Sequence, residues 1–247
     1  MSGHSKWSTI KRKKEATDGA RAKVFTKIGR EIMVAVKEGG ADPNSNSKLR
    51  DLIAKAKSNN VPNDNIDRVI KKAAGEGDKT NYEENVYEGY GPGGVAVIVE
   101  CLTDNKNRTA ADVRHYFDKF GGNMGTSGCV SFMFSTKGII IVDGNGIDEE
   151  KIMEDAFDLG ANDLSSEDDT FEVTTEPADL HTVREGLEAK GYKLLSAEVE
   201  QIPSTYTALN DEELIRKMNL LLEHLEDNDD VQNVYHNWDM PEVPEED

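Results

Sequence analysis

The sequence predicts an α+β fold in which an N-terminal helical bundle precedes two plait domains of ferredoxin-like βαββαβ order, one inserted in the other. Up to about residue 75, apolar residues recur at intervals of three and four, as in amphipathic helices. After residue 80, short runs rich in Val and Ile alternate with helical segments. The charge also changes sign. Residues 1–79 hold 18 Lys and Arg against 10 Asp and Glu, a net charge of +8, and since the whole chain carries −19, residues 80–247 carry −27.

The first predicted helix begins near Lys23 and ends at Gly39-Gly40. Successive helical residues are about 100° apart, so four apolar residues share the face that should be buried: Phe25, Ile28, Ile32 and Val36. The opposite face collects a basic stripe, which consists of Lys23, Lys27, Arg30 and Lys37. We therefore expect this helix to present positive charge on a rigid surface.

Two shorter helices complete the predicted bundle. Asn46 or Ser47 is suited to cap the second helix, and Pro62 separates the second helix from the third. Gly75 is a natural C-terminal cap for the third helix. The outward face of the third helix again carries basic residues, which are Arg68, Lys71 and Lys72.

A polar, glycine-containing link at 75–81 follows the bundle, and the charge changes sign there. Residues 1–79 are predicted to form a basic helical domain. Residues 80–135 together with 204–247 are predicted to form a discontinuous plait, and residues 136–203 the inserted plait. Between Gly138 and Ile202 the inserted plait is predicted to run strand, helix, strand, strand, helix, strand.

The discontinuous plait is predicted from two separated pieces. Residues 94–134 supply a strand, a helix and a second strand at 129–134. Residues 203–237 supply a short strand, a helix and a strand at 231–235. Asn210 is predicted to cap that helix, because Asn210 and Glu213 have the spacing of a capping box. In the inserted plait, Asp148 is predicted to cap a helix and the acidic residues 165–169 are predicted to form a loop.

Two glycine-rich segments raise the question of a bound ligand. The first, residues 89–94, precedes a strand, whereas nucleotide-binding loops follow a strand and open a helix. It also lacks the Lys-Ser/Thr ending of a P-loop. The second segment, residues 121–128, lies between a helix and a strand, where its backbone NH groups could meet a ligand. A turn is the favoured interpretation of both segments, and a ligand at the second stays open.

No catalytic or metal-binding set emerges from the sequence. The five histidines are scattered, without an i, i+4 pair or an HExxH-like motif. Cys101 and Cys129 have neither CxxC spacing nor a nearby His, and both are expected to be buried strand thiols. The acidic run 226–230 lacks the central glycine and terminal glutamate of a calcium loop, so it is predicted to be a solvated turn. The chain is therefore predicted to have no enzyme activity, cofactor, metal or small-molecule substrate.

The basic N-terminal part predicts a nucleic-acid partner. Residues 1–30 alone hold 9 Lys and Arg against 2 acids, and the four consecutive bases at 11–14 suit phosphate contacts from several directions. The acidic remainder should repel a polyanion and so orient its approach. Trp7 has no apolar neighbours, so it either stacks on a base or anchors the N-terminal segment. The predicted nucleic-acid-binding residues are Lys6, Trp7, Lys11, Arg12, Lys13, Lys14, Arg21, Lys23, Lys27, Arg30, Arg68, Lys71 and Lys72.

The sequence predicts a cytoplasmic protein without a membrane partner. No apolar run approaches the roughly 18 residues of a membrane span, and the first thirty residues lack the apolar core and cleavage site of a signal peptide. Their basic character partly resembles a mitochondrial presequence. Lys predominates over Arg, however, and the segment runs directly into a patterned helix.

Several segments resemble motifs of the YebC family. They are residues 2–7 (SGHSKW), 27–32 (KIGREI), 89–94 (GYGPGG), 103–109 (TDNKNRT) and 121–134. Together they are distributed over nearly the whole chain. Because no presequence is evident before Ser2, we expect the bacterial branch of that family.

The resemblance implies a helical N-terminal domain followed by two plait-like domains, one interrupted by the other, and no enzyme activity. It also implies a role in gene expression, for which the family offers two versions. Some members are described as probable transcriptional regulators that bind DNA. Others, including mitochondrial activators of cytochrome oxidase synthesis, act on the ribosome and help it through proline-rich stretches. The favoured expectation is a factor that binds the ribosome or its RNA, with a DNA-binding transcriptional regulator as the alternative.

Overall fold

The computed structural model describes residues 18–75, 80–167 and 169–240. These residues form a mixed α and β structure with two four-stranded antiparallel sheets and a two-stranded parallel pair. They divide into two compact units. The first unit contains the described residues up to 131 together with 209–236, and the second unit contains the described residues of 132–208 together with 237–240.

The first unit begins with three helices, as predicted: α1 (Asp18–Gly39), α2 (Ser47–Ser58) and α3 (Asn63–Ala74). Ile28 and Ile32 are buried where α1 packs on α2 and α3. Asn46 is the cap of α2, since its side-chain oxygen accepts a hydrogen bond from the Leu49 NH at 3.0 Å. The side-chain amide of Asn46 also donates to the carbonyls of Ala35 and Gly40, each at 2.8 Å. One buried side chain therefore joins the end of α1 to the start of α2.

A four-stranded sheet follows in the same unit, in the order β3-β1-β2-β9. Two helices, α4 and α7, pack against each other and against this sheet. The elements are β1 (Glu83–Tyr90), β2 (Ala96–Thr103), α4 (Lys106–Lys119), β3 (Asn123–Met124), α7 (Glu212–Asp227) and β9 (Val231–His236).

The prediction of a strand at residues 129–134 is wrong, and the strand β1 was not predicted. Residues 129–130 form a bend and Ser131–Met133 a 3₁₀ turn. The NH groups of Val130 and Ser131 donate to the Glu88 carboxylate at 2.9 and 2.8 Å, so they do not bind a neighbouring strand. The strand β1 shows no apolar alternation, because its buried positions are Glu88 and Gly89. Sequence periodicity therefore carried no signal for β1.

The second unit runs strand, helix, strand, strand, helix, strand, and the strand order in its sheet is β5-β6-β4-β7. Both helices pack on one face over a core that includes Ile140, Val173 and Val183. The predicted loop at 165–169 is wrong in part, because β5 extends through residue 167 as a polar edge strand beside β6. The elements are β4 (Phe134–Asp143), α5 (Glu149–Asp158), β5 (Asp163–Glu167), β6 (Thr170–Thr175), α6 (Leu180–Ala189), β7 (Leu194–Pro203), β8 (Thr207–Ala208) and β10 (Trp238–Asp239).

The predicted short strand after residue 203 corresponds to β8, which pairs in parallel with β10 and not with the first unit's sheet. The predicted cap of α7 is also wrong by one residue. Asp211, and not Asn210, is the N-cap, and its carboxylate accepts from the NH groups of Glu213 at 2.8 Å and Leu214 at 3.0 Å. Both residue types favour this position, so only the backbone conformation decides between them.

The two glycine-rich segments meet where β1 pairs with β3. A Cβ atom on Gly89 would lie 2.6 Å from the carbonyl oxygen of Asn123, and one on Gly122 would lie 2.6 Å from that of Tyr90. In the first segment, Gly93 has a φ of 69°, a conformation that glycine adopts readily. Close backbone approach thus accounts for glycine at these positions.

The corrected cap of α7 makes a prediction. Asp211→Ala should lower the free energy of unfolding by about 1 kcal/mol, because the NH groups that its carboxylate accepts from lose their partner. Asn210→Ala, one residue earlier and exposed, should change it by a few tenths of a kcal/mol at most. Urea unfolding followed by circular dichroism measures both. Equal losses in the two variants would contradict the assignment of the cap.

Candidate nucleic-acid interface

Part of the predicted interface lies outside the described residues: Lys6, Trp7, Lys11, Arg12, Lys13 and Lys14. Arg21 belongs to α1, but its side chain is also outside the description. The remaining predicted residues fall into two groups. One group is the basic stripe of α1, and the other is the outer face of α3.

The basic stripe of α1 contacts the chain's own acidic turn at 226–230. The Lys23 ammonium group forms a salt bridge with Asp227, with Nζ 2.6 Å from Oδ1. Lys27 donates to the carbonyl of Glu226 at 2.7 Å. Further along α1, Lys37 donates to the carbonyl of Thr80. The stripe lies opposite the bundle core, as predicted. Its side chains, however, bind other residues of the same unit.

Arg30 makes the deepest of these contacts. Its Nη1 donates to Asp230 Oδ1 at 2.6 Å, to the Asp229 carbonyl at 2.7 Å and to the Leu102 carbonyl at 3.2 Å. Its guanidinium lies over the ring of Tyr82, 5.5 Å from the centroid. The Arg30 side chain is only 15% exposed. Its main role is therefore to bind α1 to the sheet and the turn, and little of it is available to a ligand.

Asp230 collects a second set of donors on its other oxygen. Arg108 Nη2 lies 2.7 Å from Oδ2, and the hydroxyls of Thr109 and Thr103 lie 2.8 and 3.2 Å from it. Thr103 and Thr109 are fully buried, and the Asp230 side chain is 5% exposed. Two arginines from different parts of the sequence thus bind one buried carboxylate. Arg30 binds one of its oxygens and Arg108 the other.

These donors determine the ionisation of Asp230. Burial alone would raise the pKa of Asp230, but hydrogen bonds from Arg108, Arg30 and Thr109 stabilise the carboxylate and hold the pKa below its ordinary value of 3.8. The same contacts raise the pKa of Arg108, first through Asp230 and then through Asp104. Asp230 and Arg108 are therefore both ionised at neutral pH.

The prediction that 226–230 is a solvated turn is wrong for Asp230. The sequence indicates solvent for the whole run because it lacks the central glycine and terminal glutamate of a calcium loop. The signal that could have found it is the segment 103–109, where Arg108 and two threonines require an acceptor. That acceptor lies more than 120 residues away in the sequence.

The outer face of α3 shows a different environment. Arg68, Lys71 and Lys72 are exposed, while Ile66 and Ala73 on the same helix are buried in the bundle core. Arg68 donates to the side-chain oxygen of Asn65 on its own helix. We call Arg68, Lys71 and Lys72 the basic face of α3. All three side chains lie on the surface of the bundle.

The backbone NH groups at the end of the second glycine-rich segment bind a carboxylate of the chain itself. The Glu88 carboxylate accepts hydrogen bonds from the NH groups of Gly128 at 2.8 Å, Val130 at 2.9 Å and Ser131 at 2.8 Å. Burial would raise the pKa of Glu88, but these backbone donors lower it. A cluster of NH groups that would suit a phosphate is therefore filled by a side chain.

Among the described residues, no group of three His, Cys, Asp or Glu could hold a metal ion. Burial, with a contribution from Asp230, raises the pKa of the Cys101 thiol to about 12, so this thiol is protonated at neutral pH. Cys129 is only partly buried and does not lie in a strand, contrary to expectation. None of the described helices has the length and apolarity to cross a membrane.

Comparisons with known proteins agree along the chain. Residues 5–76 match the family model described as the TACO1/YebC protein N-terminal domain, and residues 82–238 match that of the TACO1/YebC second and third domain. A probable transcriptional regulatory protein of Ruminiclostridium cellulolyticum is 62% identical over 247 residues, with both chains covered completely. One from Acetivibrio thermocellus is 62% identical over 239 residues, 96% of this chain and 99% of the other. A crystal structure of a conserved hypothetical protein from Aquifex aeolicus superposes with a TM-score of 0.82 at 44% identity, covering 93% of this chain and 95% of the other.

The shared carboxylate makes a prediction about stability. Asp230→Asn keeps the shape of the side chain but removes the charge that Arg30 and Arg108 bind, and should lower the free energy of unfolding by about 2–4 kcal/mol. The control is Asp227→Asn in the same turn, whose salt bridge with Lys23 is exposed and should contribute less than about 0.5 kcal/mol. Chemical denaturation compares the two. A loss in Asp230→Asn no larger than in the control would show that the buried cluster does not hold the unit together.

The contribution of Asp230 should also depend on pH. Since the native pKa lies below the ordinary value of 3.8, the unfolded chain binds the proton more readily than the native one. The stabilisation is therefore present above that ordinary value and is lost as the pH falls through the lower native pKa. The difference in unfolding free energy between wild type and Asp230→Asn should stay constant near neutral pH and shrink in acid. A difference that grows in acid would contradict the lowered pKa.

Proposed function

The chain belongs to the TACO1/YebC family, and we propose that it is a nucleic-acid-binding regulator of gene expression that acts on the ribosome or its RNA, easing elongation through proline-rich stretches. The observation that supports this most is the exposed basic face of α3, which lies within residues 1–79, where the net charge is +8, while residues 80–247 carry −27. A polyanion is attracted to that end and repelled elsewhere. The bases at 6 and 11–14 would extend the interface.

The chemistry of α3 favours phosphate contacts over base reading. Base recognition in a major groove uses Arg, Asn or Gln presented on an exposed helix face. Here Arg68 donates to Asn65 on its own helix, so the two side chains best suited to bases bind each other. Lys71 and Lys72 bind phosphates as point charges and give affinity without sequence selectivity. An RNA of defined shape, such as ribosomal RNA, fits this pattern better than an operator sequence.

The alternative is a DNA-binding transcriptional regulator. It is favoured by the names of the relatives, which are probable transcriptional regulatory proteins. We propose further that the protein has no catalytic activity and is cytoplasmic. We also retain the division into domains 1–79, 80–135 with 204–247, and 136–203 as a proposal. The plait arrangement of the last two is proposed from the strand orders β3-β1-β2-β9 and β5-β6-β4-β7.

Removing the basic face of α3 should weaken binding in a salt-dependent way. Each phosphate contact contributes about 0.7 on single strands and 0.9 on duplexes to the slope of log affinity against log salt. The triple variant Arg68→Gln/Lys71→Gln/Lys72→Gln should therefore flatten the slope by about 2. Sedimentation with ribosomes over a range of salt concentrations measures it, beside a gel shift with promoter DNA.

The matched control is Lys23→Gln/Lys27→Gln. These ammonium groups already contact the turn at 226–230, so their loss should change the slope much less. If both variants flatten it equally, the turn does not shield the stripe. Sequence-selective DNA binding at about 0.15 M salt, without ribosome sedimentation, would favour the alternative function.

A further inference from the structure

Two runs of the sequence lack charged residues. Residues 120–136 and 201–210 contain no Asp, Glu, Lys, Arg or His, although 31% of the chain is charged. The parts of these runs that belong to the second unit, residues 132–136 and 201–208, meet at one end of its sheet. The Met133 carbonyl accepts hydrogen bonds from the NH of Ser204 at 2.8 Å and from its hydroxyl at 2.9 Å, and Phe134 pairs with Pro203.

An aromatic ring projects from this surface. Phe132 is 75% exposed, more than any other large hydrophobic side chain of the described residues. The backbone beside it is held within the second unit, where the NH and the hydroxyl of Ser204 donate to the Met133 carbonyl. This contact fixes the backbone from which the ring projects. Leaving such a ring in water is unfavourable relative to burying it, which suits a partner that covers it.

The surroundings of Phe132 are small and hydroxylated. Tyr206 is 39% exposed, and the side chains of Ser135, Ser204 and Thr205 are also exposed. We call these five residues the uncharged patch: Phe132, Ser135, Ser204, Thr205 and Tyr206. Because it contains no carboxylate, a polyanion meets less repulsion here than on the acidic remainder of residues 80–247.

We propose that the uncharged patch binds unpaired bases of single-stranded nucleic acid, with Phe132 as the stacking platform. This inference rests on the proposed function and names a second contact for it. An aromatic ring stacks on any base, since every base has a π face, and neighbouring hydroxyls contact phosphate and sugar. Serine is depleted in protein–protein interfaces whereas aromatic residues are enriched there, so binding of a protein at this patch is an outcome that the test distinguishes.

The test uses the full-length chain and two labelled probes, a single-stranded oligouridylate of about 20 nucleotides and a fully paired RNA duplex of the same length. Phe132→Ala should weaken binding of the single strand about 5- to 100-fold and leave duplex binding unchanged, because only unpaired bases are free to stack. The salt slope should stay the same, since stacking releases no counterions. Phe132→Trp should restore the affinity.

The matched control is Phe157→Ala, which removes the same ring from α5 of the same unit, where Phe157 is 45% exposed among acidic residues. It should bind like the wild type. Equal affinity of Phe132→Ala and the wild type overturns the inference, and so does an equal loss in both alanine variants. If Phe132→Ala keeps its RNA affinity but sediments less with ribosomes in high salt, the patch binds protein and the inference is wrong. A wild-type chain that binds neither probe nor ribosomes overturns the proposed function as well.

Discussion

The buried carboxylate of Asp230 is the constraint on which the first unit depends. It joins three segments that are far apart in sequence: the middle of α1, the end of β2 with the start of α4, and the turn before β9. Two arginines and two threonine hydroxyls satisfy both of its oxygens, so the cost of burying the charge is offset by directed donors. Asp230 is the acceptor that all of these donors share, so its loss would affect all three segments at once.

This cluster also gives a physical meaning to two segments that resemble family motifs. Arg30 comes from residues 27–32, and Thr103, Arg108 and Thr109 come from residues 103–109. All four side chains bind Asp230. The glycine-rich segments are similar in this respect, because Gly89 and Gly122 permit β1 and β3 to approach, and Glu88 fills the NH groups of residues 128–131. Many residues that resemble a ligand site in the sequence therefore make contacts within the fold.

The parts of the fold that could be predicted from sequence are those with strong local signals. The spacing of Ile28 and Ile32 predicts the buried face of α1, and residue type and position predict Asp148 as a cap and Asn46 as one of two candidate caps. The missed strands lack such signals, since β1 buries a glutamate and a glycine, and β5 is a polar edge strand. The interface was harder to predict for another reason. Periodicity places Lys23 and Lys27 on an outward face, but only tertiary structure reveals that a turn 199 residues later covers Lys27.

The separation of Arg30 and Asp230 by 200 residues has a consequence for biosynthesis. A ribosome that adds about 5–20 residues per second needs roughly 10–40 s to pass from one to the other. During that interval the helical bundle has left the exit tunnel, but its stripe of Lys23, Lys27 and Arg30 has no acidic turn to bind. The nascent chain is therefore more cationic on that face than the finished protein. This face is covered only after α7 and β9 have been synthesised and can fold.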